Sequence, residues 1–325
     1  MKTTTKLVKW HLSIGAAGIA LIGATEPKPA EAAAPEAQVA AARMQPQELA
    51  NLRRDVARAR TADPRAFAMV SNIVSLAPEA DARARAHKAP IALYLAKLGP
   101  GAVMPALEML AFDFPRDVPA AAAPVLRRDL IEAVGLLHDA RGLDVLSAIL
   151  ADPGEEPETT RTVTEAIARI GTDDAGTRIL AALASAEGER ARAILGGMGE
   201  CRQLRVAEAL ANRLRTTTDE QTARVAARSL GRAGNAWAWK TMADRREEAA
   251  VRATAARALV EAFVRHRGEA RDAASNALMV VDAPETPALV GEARRSAPPE
   301  TQKALDALAV RLTKNPVRSA GARSR

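Results

Sequence analysis

The sequence predicts an all-α protein, an α-solenoid of stacked antiparallel helix pairs, on three observations. Alanine supplies 76 of the 325 residues, aromatics make up only 2%, and a 3.6-residue apolar period recurs along the body. Alanine enters a helix without losing side-chain entropy. Sheets draw on branched and aromatic side chains, which are sparse here. With so few large residues, one globular core of this length is poorly filled, and repeated pairs of small-residue helices suit the composition better. A hydrophobic content of 48% with clear periodicity argues against disorder over most of the chain.

Charge narrows the function class. The formal net charge is +7, of which residues 1–32 carry +2 and residues 313–325 carry +4, leaving +1 for the body. A nearly neutral body disfavours a nucleic-acid binder, whose phosphate contacts need several uncompensated cations, so no nucleic-acid partner is expected.

The N-terminus reads as an export signal. Lys2, Lys6 and Lys9 precede an uncharged apolar run from Leu12 to Ala24, and a small-x-small site follows at Ala30-Glu31-Ala32. That run has the length of a signal-peptide hydrophobic region and is short for a membrane span. Residues 1–32 are therefore expected to be a signal peptide cleaved after Ala32, and the protein exported to the periplasm or secreted. The excess of Arg over Lys, with abundant Ala, Gly and Pro, fits a GC-rich bacterial genome. An uncleaved signal would anchor the chain instead; it and the basic tail are the only expected membrane contacts. Residues 33–46, rich in Ala with Pro and Glu, are expected to be a flexible lead segment, 47–312 the repeat domain, and 313–325 a disordered basic tail.

Within the body, helices written backward from a terminating residue repeat one pattern. They are Ile91-x-x-Tyr94-Leu95-x-x-Leu98-Gly99, Leu130-x-x-Ala133-Val134-x-x-Leu137-His138 and Val163-x-x-Ala166-Ile167-x-x-Ile170-Gly171. Ala191-x-x-Ile194-Leu195-x-x-Met198-Gly199 and Ala226-x-x-Ser229-Leu230-x-x-Ala233-Gly234 complete the set. Each is one stripe of a helix, and each stop is a residue expected to take the left-handed conformation that closes a helix, His138 replacing glycine once. The stops lie 39, 33, 28 and 35 residues apart. A second helix follows each stop, as in Leu143-x-x-Leu146, Ile179-Leu180-x-x-Leu183 and Trp239-x-x-Met242, with Asp173 and Asn235 expected as N-caps and Thr218-x-x-Gln221 as a capping box. Outer pairs are expected at 47–60 with 64–76, 248–266 with 269–281, and 287–296 with 299–312. One such pair cannot bury its own stripe, so neighbours must stack.

The runs Ala-Ile-Ala-Arg-Ile-Gly-Thr-Asp-Asp at 166–174 and Leu-Gly-Arg-Ala-Gly-Asn at 230–235 resemble HEAT repeats, in the short form similar to the bilin-lyase HEAT-like repeat. The resemblance implies a HEAT-like superhelix over roughly residues 80–260. It also implies a binding scaffold, with partners on the concave face lined by second helices; the likeness supplies no function by itself. Some relatives bind iron through adjacent His-Glu pairs, but here His87, His138 and His266 precede Lys88, Asp139 and Arg267.

No other chemistry stands out. No two histidines share the i, i+4 spacing of a zinc site, and no phosphate-binding loop or nucleophile elbow is present. Asp152, Glu155 and Glu156 surround a Pro-Gly turn without the alternation of a calcium loop. The single Cys201 is expected to be a small, partly buried residue. Trp237 and Trp239 fall on different faces of one helix; Trp239 matches core positions of the repeat and Trp237 matches polar ones, which makes Trp237 a candidate anchor. Arg178, Arg205 and Lys240 occupy or adjoin equivalent positions in successive second helices. The expectation is a non-catalytic scaffold or assembly factor for an unidentified protein or peptide. Trp237, Arg178, Arg205 and Lys240 are its candidate contacts, and no catalytic residue, metal or cofactor is expected. An enzyme-associated or lyase-like helper on the same scaffold is the alternative.

Overall fold

Local signals set the helix boundaries. Proline occupies the first turn of α1 (Pro46–Ala62), α2 (Pro64–Val74), α7 (Pro157–Ile170) and α16 (Pro299–Thr313), where its missing N–H costs nothing. Asp63 ends α1 and caps α2, its carboxylate accepting from the Ala66 N–H at 3.1 Å. The structure, a computed structural model, describes residues 40–75, 91–116 and 118–315, all within one unit spanning Ala34–Arg325. The expected signal at 1–32, His87, and the tail from residue 316 lie outside the described residues.

The remaining helices are α3 (Ile91–Lys97), α4 (Val103–Ala111), α5 (Ala123–Leu136), α6 (Leu143–Leu150), α8 (Asp173–Ala184), α9 (Gly188–Gly197), α10 (Leu204–Thr216) and α11 (Glu220–Ala233). Then come α12 (Ala236–Lys240), α13 (Glu248–Arg265), α14 (Gly268–Val281) and α15 (Thr286–Ser296). No strand occurs among the described residues. The fold is all-α, of HEAT-like stacked helix pairs. One row runs α3, α5, α7, α9, α11, α14, each helix packed on the next; a second row runs α4, α6, α8, α10, α13, α15. The predicted stripes fill the space between rows, with Leu130, Val134, Val163, Ile167, Ile194, Leu195 and Leu230 all fully buried. Each such side chain contributes about 1.5–3 kcal/mol on burial. Ala133, Ala166, Ala191 and Ala226, also fully buried, keep the helices close.

Several local expectations are corrected. Gly99 and Gly171 take the left-handed conformation, as does His138 (φ 52°), but Gly234 has φ −86° and Gly199 is not in that region. These two positions need glycine for space: a Cβ on Gly234 would lie 2.9 Å from Val281 Cγ2, and one on Gly199 would lie 2.9 Å from the Ser229 carbonyl oxygen. Thr172 rather than Asp173 caps α8, and Asp219 rather than Thr218 caps α11. Part of the lead segment expected to be flexible is packed: Ala40–Arg43 forms a 3₁₀ turn against α6, with Ala40 and Met44 buried and Arg43 paired to Asp152 at 2.7 Å.

The pairing near the C-terminus also differs. The second-row helix after α11 is α13, which packs on α10, while α14 takes the first-row place against α11. Asp282, in the left-handed region at φ 43°, is therefore the next stop, 48 residues after Gly234. The extra length is α12 and the loop 241–247.

Candidate functional site: an arm inserted in the repeat stack

The arm begins where Asn235 accepts from the N–H groups of Trp237 (2.9 Å) and Ala238 (3.3 Å), as the sequence predicts for an N-cap. Trp239 pins it down. Its indole is 1% exposed and donates from Nε1 to the Ala233 carbonyl at 2.9 Å. Two residues earlier, Trp237 faces outward at 53% exposure, and the Lys240 ammonium sits 4.2 Å from its ring centroid. At the far end Glu247 accepts from the Leu204 N–H at 2.7 Å, tying the arm to the start of α10. A one-turn helix, too short to be stable alone, is thus fixed at three points.

Between the arm and the starts of α8 and α10 lies a polar cleft of about 350 Å³, lined by Asp173, Arg202, Gln203, Asp244, Arg246 and Glu247, with Trp239 and Met242 as its apolar part. Gln203, 9% exposed, donates to the carbonyls of Gly171 (3.1 Å) and Thr172 (2.7 Å). Hydrogen bonds from the Arg246 side chain hold the Asp244 carboxyl down to about 2. Both groups are charged at neutral pH, so the lining is a mosaic of opposite charges.

The four candidate contacts separate into two kinds. Trp237 and Lys240 come together on the arm, exposed. Arg178, half-buried, and Arg205, exposed, tie neighbouring units together. Arg178 reaches Asp174 (2.9 Å), Asp144 (2.9 Å) and Ser147 (3.1 Å). Arg205 donates to Thr177 (2.9 Å), Gln203 (3.0 Å) and the Asp173 carbonyl. Their guanidinium groups join α6 to α8 and α8 to α10, so these two positions also serve the stack.

Sequence reasoning missed Gln203 and Glu247, whose partners lie more than 30 residues away, and the local Asp244–Arg246 pair. One signal was available: the interval after Gly234 is longer than any of the 28–39 residue intervals before it. It also missed Asp129, buried at 8% exposure in α5. Burial raises that carboxyl to about 6 despite a hydrogen bond from the Ile91 N–H at 3.1 Å.

The remaining reactive groups do not converge. His138 Nδ1 hydrogen bonds the Arg169 carbonyl, and His266 lies at the end of α13. Among the described residues no three His, Cys, Asp or Glu gather as metal ligands. Asp152 pairs with Arg43 and Glu155 with Arg127 (2.6 Å), so the acids of the Pro-Gly turn are neutralised by arginines. Cys201 is fully buried, and burial pushes its thiol up to about 11, which removes it as a nucleophile or disulfide partner at neutral pH.

No family model matches the chain, and no curated protein matches it. Among solved structures it is similar to human deoxyhypusine hydroxylase in complex with glycerol, at 17% identity and a TM-score of 0.33, over 77% of this chain and 98% of that one. The likeness is to the helical-repeat fold alone. That protein is an enzyme, so the expectation of a non-catalytic scaffold and of a chain that is no enzyme finds no support there.

Proposed function

We propose that the chain is an enzyme-associated helper, a HEAT-like repeat stack that holds a partner enzyme through the arm between α11 and α13. The observation that carries this reading is Trp237, a large aromatic left 53% exposed on a helix that the neighbouring Trp239 fixes to the core. A rigid, half-exposed indole loses little entropy when a partner covers it, and such side chains dominate interface energies. The repeat units belong to the short, bilin-lyase-type form, a reading supported by the 28–39 residue intervals. The chain acts outside the cytoplasm in this reading, supported by Lys2, Lys6, Lys9 and the apolar run before Ala30-Glu31-Ala32.

Affinity capture from the envelope fraction, followed by assay of the captured enzyme with and without the chain, tests the proposal. The expected result is an enzyme whose rate or yield falls when the chain is removed and whose capture is lost with Trp237→Ala. A captured partner whose activity is indifferent to the chain sinks the reading. Purified chain that itself carries a pigment or metal and turns over substrate replaces it with the lyase-like one. Cell fractionation and the mass of the mature N-terminus test export.

A further inference from the structure

We propose that the groove between α11 and α14 is a docking site for an acidic amphipathic helix of a partner protein. The groove has a volume of about 390 Å³; Gly231, Ala273, Ala277 and Val280 are its apolar lining, and Arg228 and Arg232 its charged one. The two helices approach closely at Gly231, where a Cβ would lie 2.8 Å from Ala277 Cβ. Beside that contact the small side chains leave a trough. Ala273, Ala277 and Val280 follow one another at i, i+4 and i+7, so the trough runs along α14 for about 10 Å, two helical turns. Val280 stands 40% exposed on its wall. A floor of alanine and glycine admits a third helix at an axis separation near the lower end of the usual ~8–10 Å.

Charge selects the occupant. Asn235 and Asn276 complete the lining, so the groove presents cations and amides and no carboxylate. The other described clefts each include at least one acid. Arg228 is exposed and makes no ion pair among the described residues. A further cation stands alongside: Arg311 of α16 donates to Ser275 (2.7 Å) and Asn276 (2.6 Å). Arg232 is itself paired to Glu165 at 3.0 Å and to Glu200 at 3.6 Å, so Arg228 is the uncompensated cation of the lining; Glu269 is tied to Arg224, and Asp272 lies outside the lining. An apolar stripe flanked by Glu or Asp satisfies both the trough and its rim; a basic helix meets like charge. Asn235 also caps α12, and α12 touches α14, so Trp237 stands next to one end of the trough. The proposal thus gives the partner's contact a chemistry and rests on the arm reading only through Trp237.

The probe is a synthetic 18-residue helix with a Leu/Ala stripe and Glu on its polar face, compared with the same peptide carrying Lys for Glu. Fluorescence anisotropy is measured with the full chain. The Glu peptide is expected to bind at least tenfold more tightly than the Lys peptide, with affinity falling as salt rises. Arg228→Glu and Val280→Glu, both at exposed positions, should each weaken it tenfold or more with an unchanged melting temperature. Equal binding of the two peptides, or indifference to both variants, overturns the proposal. So does a concentration-dependent dimer that Val280→Glu abolishes, which assigns the groove to a second copy of this chain. If the groove fails while Trp237-dependent enzyme capture persists, the groove alone is lost; if peptide binding holds while Trp237→Ala changes nothing, the arm reading alone is lost.

Discussion

Between Pro115 and Ala236 the chain contains no Phe, Trp or Tyr, yet α12 carries two tryptophans within three residues. The regular stack from α5 to α11 is held by many small contributions: aliphatic stripes between rows, alanines at the crossings, and arginines that reach carbonyls of the preceding unit. Examples of the last are Arg190 to Leu150 and Asp152, and Arg232 to Gly196. The arm is held by one large buried indole, one cap and one carboxylate. Redundancy makes the stack tolerant at any single exposed position. Concentration makes the arm fragile at Trp239 and frees Trp237 from any structural duty.

The comparison breaks most readily at Trp239. Replacing it with Ala is expected to cost about 3–5 kcal/mol, as for other buried aromatics, and to release the arm. Hydrogen exchange should then show lost protection in residues 235–247 while α5–α9 remain protected; uniform loss across the stack would mean that the arm is part of the regular core.

On the regular side, Asp129→Asn tests the buried carboxylate. Its folded value, raised to about 6 by burial, means that the folded state holds this proton more tightly than the unfolded one. Stability from this group therefore falls as pH rises from about 4 to about 6. At pH 7.5 the substitution should raise stability by as much as ~3 kcal/mol and flatten that slope. Urea titrations across the window measure it; an unchanged slope would show that the Ile91 N–H fully compensates the ionised form.

Arg205→Ala comes next, at about 1–2 kcal/mol from hydrogen bonds joining α10 to α8, read as a shift in the urea midpoint. A stability-neutral Arg205→Ala with weakened partner capture would make this residue a partner contact rather than a tie between repeats. The smallest expected effect is Trp237→Ala, within ~0.5 kcal/mol, with loss of enzyme capture. A drop of several degrees in melting temperature would give Trp237 the same structural role as Trp239 and erase the contrast.

Much of this could be read from residue spacing. Stripes such as Val163, Ile167 and Ile170 announce helices that must pack, and Asn235 announces its helix start. The opposite fates of Trp237 and Trp239 follow from their separation of about 200° around a helix. The engagement of Arg178 and Arg205 could not be read, because an arginine on a polar stripe looks the same whether it meets solvent or the preceding unit's Asp144 or Asp173. The promotion of α13 into the second row was hidden for a related reason. Periodicity says which face of such a helix is buried but not which neighbour buries it.

By itself the sequence determined an all-α stack with alanine at its contacts and a nearly neutral body, because propensity, period and charge are properties of residues and their neighbours along the chain. Only the tertiary structure decided that 235–247 is an inserted arm, that Gly199 and Gly234 serve close approach rather than helix reversal, and that the α11–α14 groove is rimmed by cations. Each of these depends on which helix lies across from which, and that is fixed by packing between residues distant in sequence.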